Sequence, residues 1–252
     1  MKITLSYNNL KYSCDLNKPI DISIPLKNGD DNPNCFWADP VKFETIKVGD
    51  FVGSVKEGGS VNYQKVILTP HGNGTHTECY GHISADNAGH INNCLKTFHS
   101  IAKLITLPVS KMINGDEFIS FDSFKTEIGN NIPEAVIIRT SPNNSDKLNR
   151  QYSGTNPPYL DSRITKFLCD TGVNHLLVDI PSIDKEEDGG ALKAHKNFWG
   201  FNKMPRKHST ITELVYINNH IKDGNYLLNL QIPSILLDAV PSKPVLYQIV
   251  LI

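Results

Sequence analysis

A series of short apolar runs, most of them bounded by turn-forming residues, constrains the fold of this 252-residue chain more than any other feature. The runs are rich in Ile, Val, Leu and Tyr, and they commonly end at Pro, Gly or Asn, which is typical of β-strands. They cover residues 3–7, 20–24, 65–69, 101–107, 135–139, 175–180, 226–231 and 245–251. The sequence therefore predicts a strand-dominated chain.

A helix is predicted between the runs at 135–139 and 175–180. Its apolar residues stand at positions 160, 164, 167 and 168, the spacing of one helical face, and Gly172 can cap its end. The strand, the helix and the second strand together predict a β-α-β unit.

A second, shorter helix is predicted over residues 121–127, with Asp122 as its cap. The segments 27–40 and 184–208 are predicted to be long loops, and loops of such length inside a compact domain are often functional. Because no internal repeat, low-complexity tract or clean linker interrupts the sequence, we expect a single domain over residues 1–252.

The composition argues against several classes of protein. The chain has 25 basic and 26 acidic residues and a net charge of -1, so a broad surface for nucleic acid or for an anionic membrane is not expected. The N-terminus lacks the apolar stretch of a signal peptide, and no segment approaches the roughly 20 apolar residues of a membrane span. Five cysteines without a CxxC pair indicate reduced thiols in a cytoplasmic protein.

The segment from His71 to His82 concentrates three histidines and one glutamate. Imidazole and carboxylate groups bind borderline divalent metals such as Zn²⁺ and Mn²⁺. His76 and Glu78 are two residues apart, so in an extended backbone both side chains would point to the same face and could chelate one ion. His82 could reach the same centre after a turn or remain unbound and carry protons. The alternative is a polar loop whose histidines only cap and hydrogen-bond.

These residues resemble the signature of a known family, HxGTHxDxPxH, because Gly74-Thr75-His76 is followed in register by Glu78 and His82. Further similar segments are Asp21–Leu26, Val178–Asp184, Ala194–His195 and Ile211–Leu214. The chain thus resembles the cyclase or kynurenine formamidase family of metal-dependent amide hydrolases over most of its length.

The resemblance implies an α/β fold of the swivelling β/β/α type, strand-rich with few helices, and a homodimer. It implies a site for one or two divalent ions, with His82 as the general acid/base. The implied metal ligands are His76, Glu78, His195 and Glu213, and His71 is a further candidate ligand. Trp37 is similar to an N-terminal aromatic residue that lines the substrate pocket in the family, although a plain hydrophobic plug is the alternative.

The sequence departs from the family pattern at several positions. The family's first histidine would stand at Gly72, whereas this chain has His71 one residue earlier. Either a bulge brings His71 back to the metal, or the site has lost a ligand and binds one ion. Glu78 replaces an aspartate, and a long gap before Glu213 indicates an inserted loop at 198–207.

The resemblance implies hydrolysis of a non-peptide C–N bond in a small-molecule amide, which is either a linear formamide or a cyclic amide. Metal-activated water would attack the carbonyl carbon, and His82 would transfer the proton to the leaving nitrogen. Two alternatives follow from the altered ligand positions: a non-catalytic metal- or metabolite-binding protein on the same scaffold, and a lactone hydrolase or cyclase.

Overall fold

Strands dominate the computed structural model, which describes residues 1–86, 89–201 and 203–252. The strands in these ranges are β1 (Lys2–Tyr7), β2 (Leu10–Asp15), β3 (Ile20–Asp21), β4 (Lys42–Thr45), β5 (Lys47–Val48), β6 (Phe51–Val52), β7 (Gln64–Ile67), β8 (His76–Cys79), β9 (His99–Pro108), β10 (Ser110–Lys111), β11 (Glu117–Ile119), β12 (Ala135–Ser141), β13 (Tyr159–Leu160), β14 (His175–Val178), β15 (Thr210–Glu213), β16 (Gly224–Gln231), β17 (Ala239–Pro241) and β18 (Lys243–Leu251). The α-helices are α1 (Ile91–Cys94), α2 (Phe121–Ile128), α3 (Ser162–Asp170) and α4 (Lys193–Phe198). The predicted strand-rich α/β fold with few helices is confirmed.

An 11-stranded mixed sheet forms the centre of the fold, in the order β1-β2-β18-β16-β9-β12-β14-β15-β8-β17, with β3 paired to β18. Strands β9, β12, β14 and β15 are parallel, whereas β16 and β8 flank them in antiparallel orientation. Each parallel step is bridged by a helix, namely α2, α3 or α4. Such crossovers are required because parallel neighbours cannot be joined by a tight hairpin.

The middle of this sheet is buried on both faces. All residues of β8, β14 and β15 are buried, as are the first six of β12. Strands covered on both faces normally read as continuous apolar runs, as residues 135–138 of β12 and 176–178 of β14 do. In contrast, β8 and β15 carry His76, Glu78 and Glu213 into this interior. Buried charges are costly unless they are paired or bound to a cation. The polar residues of β8 and β15 therefore indicate a functional site in this part of the sheet.

The predicted β-α-β unit is confirmed, because β12 and β14 are parallel neighbours joined through α3. The Asp161 carboxylate accepts a hydrogen bond of 2.9 Å from the backbone N–H of Arg163 at the start of α3. Gly172, just past the helix end, has φ 80. This left-handed conformation suits glycine and ends the helix.

Two local predictions need correction. The second helix exists, but its cap is Ser120, whose hydroxyl accepts from the backbone N–H of Ser123 at 3.2 Å, and Asp122 lies inside the first turn. The segment predicted as a loop at 184–208 contains helix α4. The sequence gives no local start signal for this helix, because the residue before it is Leu192, whose side chain makes no cap hydrogen bond. Asn202, within the predicted insertion, falls outside the described residues.

No helix within the described ranges has the length and apolar character needed to cross a bilayer.

Candidate metal centre

Antiparallel strands β8 and β15 bring three of the predicted residues together. Side chains alternate along a strand, so His76 and Glu78 share a face, and Glu213 lies directly opposite His76 across the strand pair. His76 Nε2 lies 3.4 Å from Glu213 Oε2. One ligand atom from each of the three residues can be chosen so that all lie within 4.8 Å of one another. This is the spacing of a chelating set.

The segment preceding β8 fixes the direction of the His76 ring. His76 Nδ1 lies 2.9 Å from the Gly74 carbonyl oxygen, which leaves Nε2 facing the carboxylates. Gly74 has φ 110, and a Cβ there would come within 2.8 Å of Leu26. Thr75 accepts from the backbone N–H of Ile24 at 2.9 Å and donates to the Leu214 carbonyl at 2.5 Å. Glycine and threonine thus hold the histidine in place.

Helix α4 places His195 beside this set, next to its two carboxylates. Its Nε2 lies 3.1 Å from Glu78 Oε1 and 3.9 Å from Glu213 Oε1. On the other side of the ring, Nδ1 lies 2.7 Å from Asp184 Oδ2. Glu213 Oε1 also accepts a hydrogen bond of 2.9 Å from the backbone N–H of Ile183. We call His76, Glu78, His195 and Glu213 the inner group.

His71, His82 and Asp238 form a second set, which we call the outer group. His71 lies on the 3-10 turn Pro70–Gly72 and His82 on the 3-10 turn Tyr80–Ile83. Asp238 Oδ2 lies 3.2 Å from His71 Nε2 and 3.4 Å from His82 Nδ1. The two imidazole rings stack at a centroid distance of 4.3 Å.

Glu78 connects the inner and outer groups. Its Oε2 lies 3.3 Å from His71 Nε2 and 3.8 Å from His82 Nδ1, and these three residues form a second set with metal-ligand spacing. One carboxylate therefore belongs to two possible ion positions. The arrangement can accommodate one ion in the inner group or two ions that share Glu78.

The one-residue offset of His71 has a structural reason. Gly72 packs so closely that a Cβ at this position would lie 2.3 Å from the Ala38 Cβ, and its carbonyl accepts from the backbone N–H of Cys35 at 3.0 Å. A histidine could not occupy position 72 without displacing the segment around Cys35. The preceding turn brings the His71 ring to the cluster instead.

The donor atoms of the cluster fit a divalent cation. Three buried atoms, His71 Nε2, His76 Nε2 and Glu78 Oε2, make no hydrogen bond to any described residue, although charged or imidazole groups lie near all three. Buried polar atoms are nearly always satisfied, so three unsatisfied atoms converging on one place call for a missing partner. Imidazole nitrogen and carboxylate oxygen are the donors that Zn²⁺ and Mn²⁺ accept.

The electrostatics of the cluster also indicate a site for a cation. Burial alone would lower the pKa of His71 and of His195, but carboxylates outweigh it and raise each pKa to about 10. Asp238 and Glu78 act on His71, whereas Asp184 and Glu78 act on His195. Burial favours protonation of Glu78, yet the surrounding histidines hold its pKa well below its ordinary value. Without a metal, protons supply the positive charge that the carboxylates require.

Sequence reasoning missed two carboxylates of the site, Asp184 and Asp238. Asp184 lies in a segment that carried the family resemblance, but nothing there distinguished it. Asp238 stands in the apolar run 235–240, where a carboxylate is costly, and this was a usable signal. Pairing of β17 with β8 places Ala239 opposite Glu78 and so carries Asp238 to the site.

Trp37 lies on a loop next to the His71 turn. It is 66% exposed, and its backbone N–H donates to the Ser153 hydroxyl at 2.9 Å. Cys35, two residues earlier, makes the backbone contact with Gly72 described above. Phe36 and Trp37 have φ 55 and 53, a left-handed conformation that is uncommon for bulky residues.

Comparison with known proteins gives a consistent result. The Cyclase family model matches residues 20–185. The kynurenine formamidase of Bacillus cereus (strain ATCC 14579) is 27% identical over 221 residues, which cover 87% of this chain and 91% of the relative. That of Bacillus anthracis is 28% identical over 223 residues, covering 88% and 92% of the two chains.

Solved structures share the fold at low identity. An isatin hydrolase bound to the product analogue thioisatinate superposes with a TM-score of 0.65 at 13% identity, covering 92% of each chain. A potential metal-dependent hydrolase with cyclase activity gives a TM-score of 0.62 at 15% identity, covering 91% of this chain and 97% of the other.

Proposed function

Because this chain belongs to the cyclase family, we propose that it is a metal-dependent hydrolase that cleaves a non-peptide C–N bond in a small-molecule amide. The observation that carries the proposal is that two unsatisfied buried nitrogens, His71 Nε2 and His76 Nε2, lie around the carboxylate of Glu78, which itself has an unsatisfied buried oxygen and belongs to both possible ion positions. The names of the similar proteins, kynurenine formamidase and isatin hydrolase, support a linear formamide or a cyclic amide as substrate.

The proposed ligands are His71, His76, Glu78, His195 and Glu213. In this proposal the inner group holds the tighter ion, since its donors are buried and fixed on strands and a helix. The outer histidine His71 would contribute to a second, more open position that shares Glu78. The ligand types favour Zn²⁺ or Mn²⁺, and availability often decides between them.

A bound divalent ion would polarise the substrate carbonyl and lower the pKa of a water molecule. The protein supplies the proton transfer. His82 Nδ1 faces Asp238 Oδ2 at 3.4 Å, so Nε2 is the atom left for substrate. In the proposed reaction, the water oxygen bonds to the carbonyl carbon, His82 takes up a water proton, and the C–N bond breaks. The leaving nitrogen then receives the proton from His82, giving a carboxylic acid and an amine.

His82 also belongs to a set with metal-ligand spacing. A role as ligand is therefore the direct competitor of the acid/base role, and the two roles differ in whether removal of His82 also removes metal. Asp238 favours the acid/base role, because a carboxylate on Nδ1 is a common way to orient a proton-transferring imidazole.

We propose that Trp37 lines the substrate pocket. The support is its exposed ring on the loop beside the His71 turn, together with the strained backbone of Phe36 and Trp37. Strained backbone of this kind is concentrated at functional sites. An aromatic wall would suit an aryl amide.

We also propose that the protein is a homodimer. Apolar side chains between residues 48 and 66 are more than half exposed: Val48, Val55, Val61, Tyr63 and Val66. Exposed apolar side chains concentrated in one segment are typical of a protein interface, and a second copy would bury them. Sedimentation analysis of the wild type and of Tyr63→Lys tests this, with a dimer expected for the former and weakened association for the latter.

Two further proposals concern organisation. Residues 1–252 form a single domain, supported by one hydrophobic cluster that runs from Ile22 to Leu246 among the described residues. The protein is cytoplasmic, and the support is its five free cysteines, of which all but Cys169 are buried: Cys14, Cys35, Cys79, Cys94 and Cys169.

A substrate panel tests the proposed activity. Metal-free protein is reloaded with Zn²⁺ or Mn²⁺ and assayed with a formanilide, a cyclic imide and a lactone, with His76→Ala as the inactive control. We expect metal-dependent hydrolysis of at least one of the two amides. Turnover of the lactone alone would indicate a lactone hydrolase, and metal binding without any turnover would indicate a non-catalytic binding protein.

A further inference from the structure

Asp184 makes contacts that go beyond those of an ordinary helix cap. Its Oδ1 accepts from the backbone N–H of Ala194 at 2.7 Å, and its Oδ2 accepts from the backbone N–H of His195 at 3.0 Å. The same Oδ2 lies 2.7 Å from His195 Nδ1. The carboxylate is buried, with 8% of the residue exposed. It therefore binds the start of α4 and the imidazole ring at once.

The ring contact determines which His195 nitrogen faces the site. A carboxylate accepts and does not donate, so the hydrogen between Asp184 and the ring must belong to Nδ1. With Nδ1–H donated to Asp184, Nε2 is the nitrogen that faces the opposite side, and it can offer its lone pair there once an ion displaces its proton. That side faces Glu78 Oε1 at 3.1 Å and Glu213 Oε1 at 3.9 Å.

The helix cap fixes the position of the ring as well as its tautomer. Leu192, the residue before α4, has φ 45 and makes no side-chain cap, so Asp184 satisfies N–H groups that would otherwise be unpaired at this helix end. Removing the carboxylate would thus loosen the turn that carries His195 and would also free the ring to rotate.

We propose that Asp184 is a positioning residue for the metal centre: it holds His195 in the tautomer and orientation that present Nε2 to the ion. This inference rests on the proposed function. Carboxylates that accept from the far nitrogen of a ligand histidine typically change metal affinity about 10- to 100-fold when removed.

Asp161 provides a matched control. It also accepts from backbone N–H at the start of a helix, at 2.9 Å from the nitrogen of Arg163, but its side-chain partner is Arg163 and not a histidine. Asp184→Ala and Asp161→Ala each delete one capping carboxylate. Only the first deletes an imidazole partner.

The experiment measures the Zn²⁺ dissociation constant of wild type and both variants by competition with a chromogenic chelator. Thermal unfolding of the metal-free proteins is recorded in parallel. We expect Asp184→Ala to weaken Zn²⁺ binding about 10- to 100-fold and Asp161→Ala to change it less than about twofold, although both lower thermal stability. Equal Zn²⁺ affinity of Asp184→Ala and wild type would overturn the inference.

A spectroscopic readout on the wild type covers the case in which Asp184→Ala does not fold. In the Zn²⁺-loaded protein with ¹⁵N-labelled histidine, we expect the His195 proton on Nδ1 and no proton on Nε2. A proton on Nε2 would overturn the inference. A wild type that binds no Zn²⁺ would overturn the proposed function and this inference with it, whereas binding unchanged by Asp184→Ala overturns this inference alone.

Discussion

The inner and outer groups contain the same kinds of side chain but differ in burial and support. Side chains of the inner group, such as His76 and His195, are 0% and 2% exposed and stand on β8 and α4. In the outer group, His71, His82 and Asp238 are 26%, 30% and 35% exposed and lie on short turns or just before β17.

This difference in burial separates two tasks of a hydrolytic site: holding the cation, and exchanging protons with the substrate and solvent. Buried donors on rigid elements cannot turn to water, so they need a cation to satisfy them and can hold it with fixed geometry. Exposed groups on turns can meet a substrate and exchange protons with solvent. Glu78 contacts both groups and is the point at which they are coupled.

The largest effect is expected from Glu78→Ala, which removes the shared carboxylate. Zn²⁺ affinity should fall more than about 100-fold, because Glu78 is a proposed direct ligand, and loss of a residue that only supports a ligand already lowers affinity about 10- to 100-fold. Amide hydrolysis should be lost as well. Metal content by mass spectrometry and a Zn²⁺ titration check this, with the exposed Glu44→Ala as control. Near-stoichiometric metal in purified Glu78→Ala would remove Glu78 from the centre.

A different result is expected from His82→Ala, because this change affects the outer group. Zn²⁺ in the inner group should be retained, while kcat for the amide falls about 10²- to 10⁴-fold through loss of general acid/base catalysis. His220→Ala, an exposed histidine bonded to Asn218 in its own turn, is the control. Full turnover on a formanilide would refute the proton-transfer role, and loss of all metal would make His82 a ligand.

The pH dependence of stability and of Zn²⁺ affinity tests whether protons on His71 and His195 take the place of the cation in the metal-free protein. Because the pKa of His71 and of His195 is raised from 6.5 to about 10, their contribution to the stability of the metal-free fold is complete below about pH 6.5 and disappears as pH rises toward 10. Metal must displace these protons, so Zn²⁺ affinity should rise about tenfold per pH unit for each proton released. Titrations at pH 7 and pH 8 check the direction. Equal affinities at the two pH values would show that no proton is displaced.

The smallest effect is expected from Asp238→Asn. The amide keeps the shape of the side chain but removes the charge that faces His71 and His82. We expect kcat to fall a few-fold to about tenfold, the size of one ordinary hydrogen bond, because the amide oxygen can still accept from an imidazole, and we expect the Zn²⁺ content of the inner group to be unchanged. If Asp238→Asn instead lost the inner ion, the division into two groups would be wrong.

The parts of the site that were predictable from the sequence depend on local geometry. Alternation along an extended chain was enough to place His76 and Glu78 on one face, as β8 shows. Helical spacing likewise located α3, and runs of β-branched residues located the central strands.

The remaining parts depend on pairing between distant segments. Asp238 reaches the cluster because β17 pairs with β8, and no local pattern specifies that register. Helix α4 was predicted as loop because its capping residue, Asp184, lies 11 positions before His195. The offset of His71 is explained by the close packing of Gly72 against Ala38, a contact between loops that sequence spacing does not reveal.

Anomalous diffraction at the zinc edge, from crystals grown with Zn²⁺, tests the central claim most directly. The account predicts a peak in the inner group, about 2.0–2.2 Å from His76 Nε2 and from oxygens of Glu78 and Glu213. A weaker second peak near His71 would show that the outer group holds an ion too. Absence of a peak in the inner group, or one bound only by the outer residues, would contradict the account.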